Sequence, residues 1–241
     1  MADLAFVLLR QAVEPQPTQV ITAARRYGFE LMLHSPALDG GGLAFDLTDG
    51  AGMIVTLVGV PHPDAVEMPV GVTSPPPEEI AASSAHLIVG TVGLTGDERA
   101  RDTVLAQLTA AVLDCVDAVG AQLGHGVTFH RAGIFAGAAK LAADQQEQLP
   151  VEVAVDVTAA QESASRMSFL THGLVRYGRE ELFVTCEIEG KGALSFVYDL
   201  ARWLLAQPSG YPPTGDTVGR TVRGAQDRSV AEATVMGCPG G

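Results

Sequence analysis

The chain has 241 residues, 47% apolar and 18% charged, with 15 Lys and Arg against 28 Asp and Glu for a formal net charge of −13. That length can bury a substantial core as one large domain or two small ones, and the composition excludes disorder over most of it. An acidic surface repels phosphate backbones and anionic lipid, which excludes nucleic acid and membranes as expected partners.

Leu4 to Arg10 predicts a first strand, apolar throughout. Pro15 and Pro17 break the chain, and Thr18 can cap a helix that runs to Arg26 or Tyr27 and closes at Gly28. A short extended piece follows at Leu31 to Leu33. Strands at Leu43–Leu47 and Met53–Val60 flank Thr48-Asp49-Gly50-Ala51-Gly52, and Asp-Gly between two apolar runs is a hairpin signal. Pro61 to Pro77 holds six prolines and reads as a long surface loop, with a short helix from about Glu78. Leu87-Ile88-Val89 has no polar alternation, so a strand from about Ala85 is placed centrally in a sheet. Thr95 and Glu98 have capping-box spacing, and a long helix is expected after them, with a stripe of Val104, Leu105, Leu108, Val112, Cys115, Val116 and Val119 before Gly120.

The second half continues with a strand over Gly126–Arg131 and a helix over Ile134–Gln148 that ends at Pro150. Val151, Val153, Val155 and Val157 alternate with Glu152, Ala154 and Asp156, the pattern of a strand with one wet face. Further strands are expected at Arg166–Val175 and Leu182–Ile188, a helix at Ala193–Ala206, a last strand near Thr217–Val222, and a loose tail over 234–241. The element order is that of an α+β protein. It predicts two tandem ferredoxin-like modules, each a split β-α-β with an antiparallel sheet. Residues 1–96 would form the first and 121–233 the second, bridged by the helix of residues 97–120.

Charge is unevenly spread. From Tyr27 through Asp97 there is no Lys or Arg, while acids recur at Glu30, Asp39, Asp46, Asp49, Asp64, Glu67, Glu78 and Glu79. Such a stretch is either a solvated face or a surface that blocks a basic partner. Arg220, Arg223 and Arg228 form a local basic cluster, which could bind an anion, an acidic partner loop or the acidic first half itself. Cys115, Cys186 and Cys238 are widely spaced, with no Cys-x-x-Cys pair, so no disulfide framework is indicated and a reducing cytoplasm is the expected compartment. Asp3 stands where a signal peptide would be basic, and no run approaches the roughly 18 apolar residues of a membrane helix.

Catalytic and metal motifs are weak. His125 and His130 fall on opposite faces of one expected strand. His86 and His172 could meet across a sheet, with Glu187 or Glu189 as an acidic companion, but no His-Glu-x-x-His spacing supports a metal. No Gly-x-Ser-x-Gly elbow occurs, and Gly133 to Lys140 lacks the arrangement of a P-loop. Paired acids at Glu187 and Glu189, and at Glu152 and Asp156, read as wet sheet faces. No cofactor, metal or catalytic residue is therefore assigned.

Three stretches together carry a resemblance: Ser84-Ala85-His86-Leu87-Ile88-Val89; Thr171-His172-Gly173-Leu174 with Tyr177-Gly178 and Glu181; and Gly215-Asp216-Thr217-Val218-Gly219. With Phe6-Val7-Leu8-Leu9, they make the chain resemble the bacterial family called domain of unknown function 4261. After Gly178 that family tends to an acid-aliphatic-acid run, of which Glu181-Leu182-Phe183 keeps only the first acid. The resemblance implies an α+β fold and no reaction; some such proteins look like companions of secreted toxins. The expected function is non-enzymatic protein binding by an immunity or effector-associated protein. The expected surface is Asp39, Asp46, Asp49, Asp64, Glu67, Glu78 and Glu79, facing a basic partner. The alternative is an enzyme or small-ligand protein with His86, His172 and Glu187 in a cleft between the modules. A homo-oligomer joined through sheet faces is a third possibility.

Overall fold

A computed structural model describes residues 3–34, 42–145, 149–164, 166–187, 192–207, 217–218, 220–224 and 230–234, with backbone alone at 186–187 and from 217 onward. The chain is a mixed α+β protein that forms two compact units, Met1–Ala154 and Val155–Gly241. The boundary thus falls at 154 rather than at the predicted 96 and 121.

The first unit runs β1 (Asp3–Leu9), α1 (Pro17–Ala24) with a 3-10 turn at Arg25–Tyr27, β2 (Leu31–Leu33), β3 (Leu43–Leu47), β4 (Gly52–Val58), α2 (Pro77–Ala81) and β5 (Ala85–Val92). It continues with α3 (Glu98–Leu113), β6 (Ala118–Leu123), β7 (His130–Arg131), α4 (Ala132–Gln145) and α5 (Val151–Ala154). Its sheet has the order β2-β3-β4-β5-β1-β6-β7, every pair antiparallel. A split β-α-β module would put β1 between the strand of the second hairpin arm and β5. Here β4 pairs with β5 directly, and β1 lies between β5 and β6, so the order differs from the ferredoxin-like one. The long stretch between β4 and β5 allows that antiparallel neighbour pairing.

The Asp-Gly hairpin forms as predicted. Gly50 has φ +84°, and the Asp49 carboxylate accepts from the Ala51 amide at 3.1 Å. β5 is central, also as predicted. The helix α3 differs in three ways. Its cap is Asp97, whose carboxylate accepts from the Ala100 amide at 2.9 Å, while Gly96 at φ +103° separates Thr95 from the helix. It ends at Leu113, and Val119-Gly120-Ala121-Gln122-Leu123 becomes the inner strand β6. It does not bridge two modules. It is buried on most sides by α1, α4 and strands β1, β5 and β6 of its own unit.

Gly120 explains why β6 is a strand in this place. A Cβ there would lie 2.5 Å from the His130 carbonyl oxygen and 3.0 Å from Pro75, so only glycine lets β7 and the proline-rich segment approach. That segment is only in part a surface loop: Pro63, Asp64, Val66, Glu67, Pro69 and Val70 are exposed, but much of the rest packs inward. Ala65, Gly71, Thr73, Ser74 and Pro75 are buried, and Leu8, Ala65, Ile80, Val119 and Phe129 form one apolar cluster with Phe6 and Met68 packed on it. Its polar groups are satisfied locally: Thr73 and His130 share a 2.6 Å hydrogen bond, and the Arg131 amide and guanidinium donate to the carbonyls of Thr73 and Ser74.

The predicted strand at Val151–Val157 is instead α5 followed by β8. Val153 and Ala154 amides donate back to the Pro150 carbonyl, and Val151, Val153, Ala154 and Val155 are all buried. An alternating pattern misled here because both sides of the segment are covered. The predicted strand at 126–131 shrinks to His130–Arg131 for the turn that precedes it.

The second unit holds β8 (Asp156–Ser163), β9 (Arg166–His172), β10 (Glu181–Glu187), α6 (Ala193–Ala206), β11 (Thr217–Val218), β12 (Arg220–Gly224) and β13 (Val230–Thr234). Its sheet order is β11-β12-β13-β10-β9-β8. The pair β10–β13 is parallel and the others are antiparallel, so this sheet is mixed rather than antiparallel throughout. A parallel pair needs a crossover, and the chain between β10 and β13 contains α6. The buried stripe of α6, Val197, Leu200, Ala201 and Leu204, matches the helical period read from the sequence. Glu152 and Asp156, expected on one wet strand face, are split between α5 and β8, and Asp156 is buried.

Candidate functional site

The Lys/Arg-free stretch folds into adjacent strands. β2, β3, β4 and β5 all come from it, and they are consecutive neighbours in the sheet. One contiguous half of the first unit's sheet therefore has no Lys or Arg; its strands carry Asp46, and the other acids lie on the segments that connect them. Asp46 is exposed on β3 and meets His34 Nδ1 at 3.1 Å. Asp49 sits in the hairpin turn beside it. Asp64 and Glu67 are exposed in the segment after β4, and Glu78 and Glu79 occupy the first turn of α2. Glu79 is paired with Arg10 at 2.5 Å and Glu30 with Arg25 at 3.2 Å. Asp49, Asp64, Glu67 and Glu78 have no Lys or Arg partner among the described residues. Asp39 lies outside the described residues.

The ladder also decides what these acids border. Residues directly opposite in a ladder share a face, and alternate residues of one strand do too. Leu4 pairs Gly90, Gly90 pairs Ile54, and Ile54 pairs Ala44; Gly52 pairs both Val92 and Asp46, and Asp46 pairs Met32. Phe6 and Ile88 belong to the same face. At one end, Phe6, Leu8 and His86 lie under the proline-rich segment. Toward the hairpin the face opens: Leu4 is 40% exposed, Val92 43% and Met32 60%, with Ile54 and Ile88 half-buried. The glycines flatten it. A Cβ at Gly90 would meet the Leu4 side chain at 3.2 Å, and one at Gly52 would meet Val92 at 3.1 Å, so these side chains lie over their glycine partners.

The covered end holds a ring cluster. His62 stands 5.1 Å from His86, 4.9 Å from Phe6 and 5.5 Å from Phe129, each edge to face. His86 Nδ1 donates to the Val60 carbonyl at 2.9 Å. Burial pushes the His62 pKa down, the neighbouring His86 pushes it further, and Asp64 partly opposes them.

The residues of the alternative site belong to different units. His86 belongs to β5 of the first unit and His172 to β9 of the second, where its Nε2 and Thr158 Oγ1 are 3.1 Å apart. The side chain of Glu187, like those of Cys186, Arg220 and Arg223, lies outside the described residues, as do Glu189 and Arg228. Among the described residues no group of three or more His, Cys, Asp or Glu is arranged to hold a metal ion, and no helix is long and apolar enough to cross a membrane. His125 sits in the turn after β6, its Nε2 3.9 Å from Asp102, and His130 is in β7, so the two do not share a strand.

The motif around Thr171 is structural. The Glu181 carboxylate accepts from the Gly173 amide at 2.7 Å, the Val175 amide at 3.3 Å and the Thr171 hydroxyl at 2.8 Å; Thr171 Oγ1 in turn accepts from the Leu182 amide at 2.7 Å. It closes the N-terminus of a 3-10 turn at Leu174–Tyr177, framed by Gly173 at φ +113° and Gly178 at φ +71°. Arg179 caps the far end of α6 by donating to the carbonyls of Leu204 and Gln207. Sequence reasoning missed the open face. Its signal was present as apolar residues at the even positions Leu4, Ile54, Ile88 and Val92, but strands apolar on both sides read as covered on both.

No family model, no curated protein and no solved structure matches the chain. The resemblance to domain of unknown function 4261 rests on the short motifs alone.

Proposed function

We propose that the chain is a non-enzymatic protein-binding module whose acidic first half engages a basic surface of another protein. The reading is that of a cytoplasmic immunity or effector-associated protein that blocks a bacterial toxin or secreted effector, as the motif resemblance suggests. The observation that carries it is the half-sheet from β2 to β5, which has no Lys or Arg and bears Asp46, with Asp49, Asp64, Glu67 and Glu78 on the segments that connect its strands. Exposed charges of one sign raise the encounter rate with a partner of the other sign and are screened by salt.

The test is capture of basic proteins from the host lysate on the tagged chain at low and high salt, followed by association kinetics with the captured protein. A stoichiometric basic protein whose on-rate falls steeply with salt supports the reading. An on-rate indifferent to salt, or to a chain with Asp46, Asp49, Asp64, Glu67 and Glu78 changed to their amides, rejects it.

A further inference from the structure

We infer that the open face of the first unit's sheet, made by Leu4, Met32, Ile54, Ile88 and Val92 beside Asp46, is a docking site for a basic amphipathic helix of a partner protein. This rests on the acidic-surface reading above and adds its contact area.

Three observations support it. The first is shape. Five strands, β2, β3, β4, β5 and β1, contribute to the face, about 19 Å across at the usual strand spacing, and adjacent same-face rows lie about 7 Å apart. That footprint accepts roughly three turns of a helix about 10 Å wide. Gly52 and Gly90 keep it low, since their places are filled only by Val92 and Leu4 lying across them. The second is chemistry. The opposite face of the same strands is fully buried at Val55, Leu87 and Val89, with α3 packed on β1 and β5. The open face presents the same kind of aliphatic residues exposed or half-buried, and apolar sheet area of this kind is stabilised by being covered.

The third observation is charge, and it selects the occupant. Among the described residues, the exposed ionisable groups on this face are Asp46 and the His34 beside it; Asp49 stands at the hairpin end, and the strands β2 to β5 carry no Lys or Arg. A second copy of the chain, with its net charge of −13, would bring acid to acid. A helix with an aliphatic stripe flanked by Lys and Arg matches both the floor and the rim.

The experiment uses the full chain and two synthetic helical peptides of about 16 residues built from Leu and Lys. One has its Leu in a single stripe; the other has the same composition with the stripe scrambled. The expected result is that the striped peptide binds about tenfold or more tighter than the scramble. Leu4→Ser with Val92→Ser, two exposed positions, should remove most of that advantage. Met32→Ser, the most exposed position, is the second variant should the double change unfold the chain.

Equal binding of the two peptides overturns the docking face. So does binding that ignores the serine changes but is lost in Asp46→Asn/Asp49→Asn, and that outcome leaves the acidic-surface reading standing. Binding of neither peptide also overturns the face, while the acidic-surface reading is still judged by its own salt test. A chain that sediments as a dimer, dispersed by Leu4→Ser/Val92→Ser, assigns the face to a second copy and overturns the proposal.

Discussion

Glu181 shows how much one side chain can organise. Its two oxygens accept from two backbone amides and a hydroxyl, so it ties the end of β9, the 3-10 turn and the start of β10 together. Charge-assisted bonds of this kind are each stronger than neutral ones. Replacing Glu181 by Ala should cost the second unit about 3 kcal/mol in urea unfolding, and Gln, which keeps one acceptor, should cost less. Equal loss for both would mean that packing rather than the carboxylate matters. Cys115 is a second residue-scale case. Its thiol donates to the Ala111 carbonyl at 3.2 Å, and burial together with Asp114 pushes its pKa up to about 11 against the opposing pull of Arg26. At neutral pH the thiolate is scarcer than in a free cysteine by on the order of a hundredfold. Peptide-resolved alkylation should therefore label Cys115 slowly in the native chain and quickly in urea; rapid native labelling would contradict this burial.

At the scale of elements, the proline-rich segment between β4 and α2 is the least expected feature. Prolines mark it as irregular, and irregular segments usually run over the surface. Here His62, Ala65 and Met68 dock on the sheet, and Gly71 and Gly120 provide the clearance. Gly120→Ala should destabilise the first unit by about 3 kcal/mol, because the new methyl meets a backbone carbonyl that cannot rotate away. Near-normal thermal stability of that variant would show that β7 can move. His62 makes the docking pH-dependent. The His62 pKa is depressed in the folded chain below its usual value near 6.5, so the unfolded chain binds more protons in the interval between the two. Its contribution to stability is therefore full above about 6.5, falls as pH drops through the interval, and is constant below the folded pKa. His62→Phe, which keeps a ring among Phe6 and Phe129, should flatten that part of the stability–pH curve. An unchanged slope would remove His62 from the account.

For the whole molecule, charge and topology combine. The same strand order that departs from a split β-α-β places β2 to β5 side by side, which gathers a cation-free stretch of chain into half a sheet. With another strand order the acids would be interleaved with β1, which Arg10 follows, and with β6. The salt and peptide experiments address this scale, since neither depends on any one acid.

Much of this architecture was legible in the chain. Local signals sufficed where the physics is local: the Asp-Gly hairpin, the apolar run of β5 and the stripe of α6 all appear where the pattern puts them. So did the charge imbalance, which is a property of composition. Tertiary structure decided the rest. Whether Val119 to Leu123 continues a helix or forms an inner strand depends on Gly120 meeting His130 and Pro75, and Val151 to Ala154 could coil into α5 because both of its sides are covered. Which apolar face stays open depends on how far the proline-rich segment reaches across the sheet. These are contacts between residues distant in sequence, and neither periodicity nor propensity encodes them.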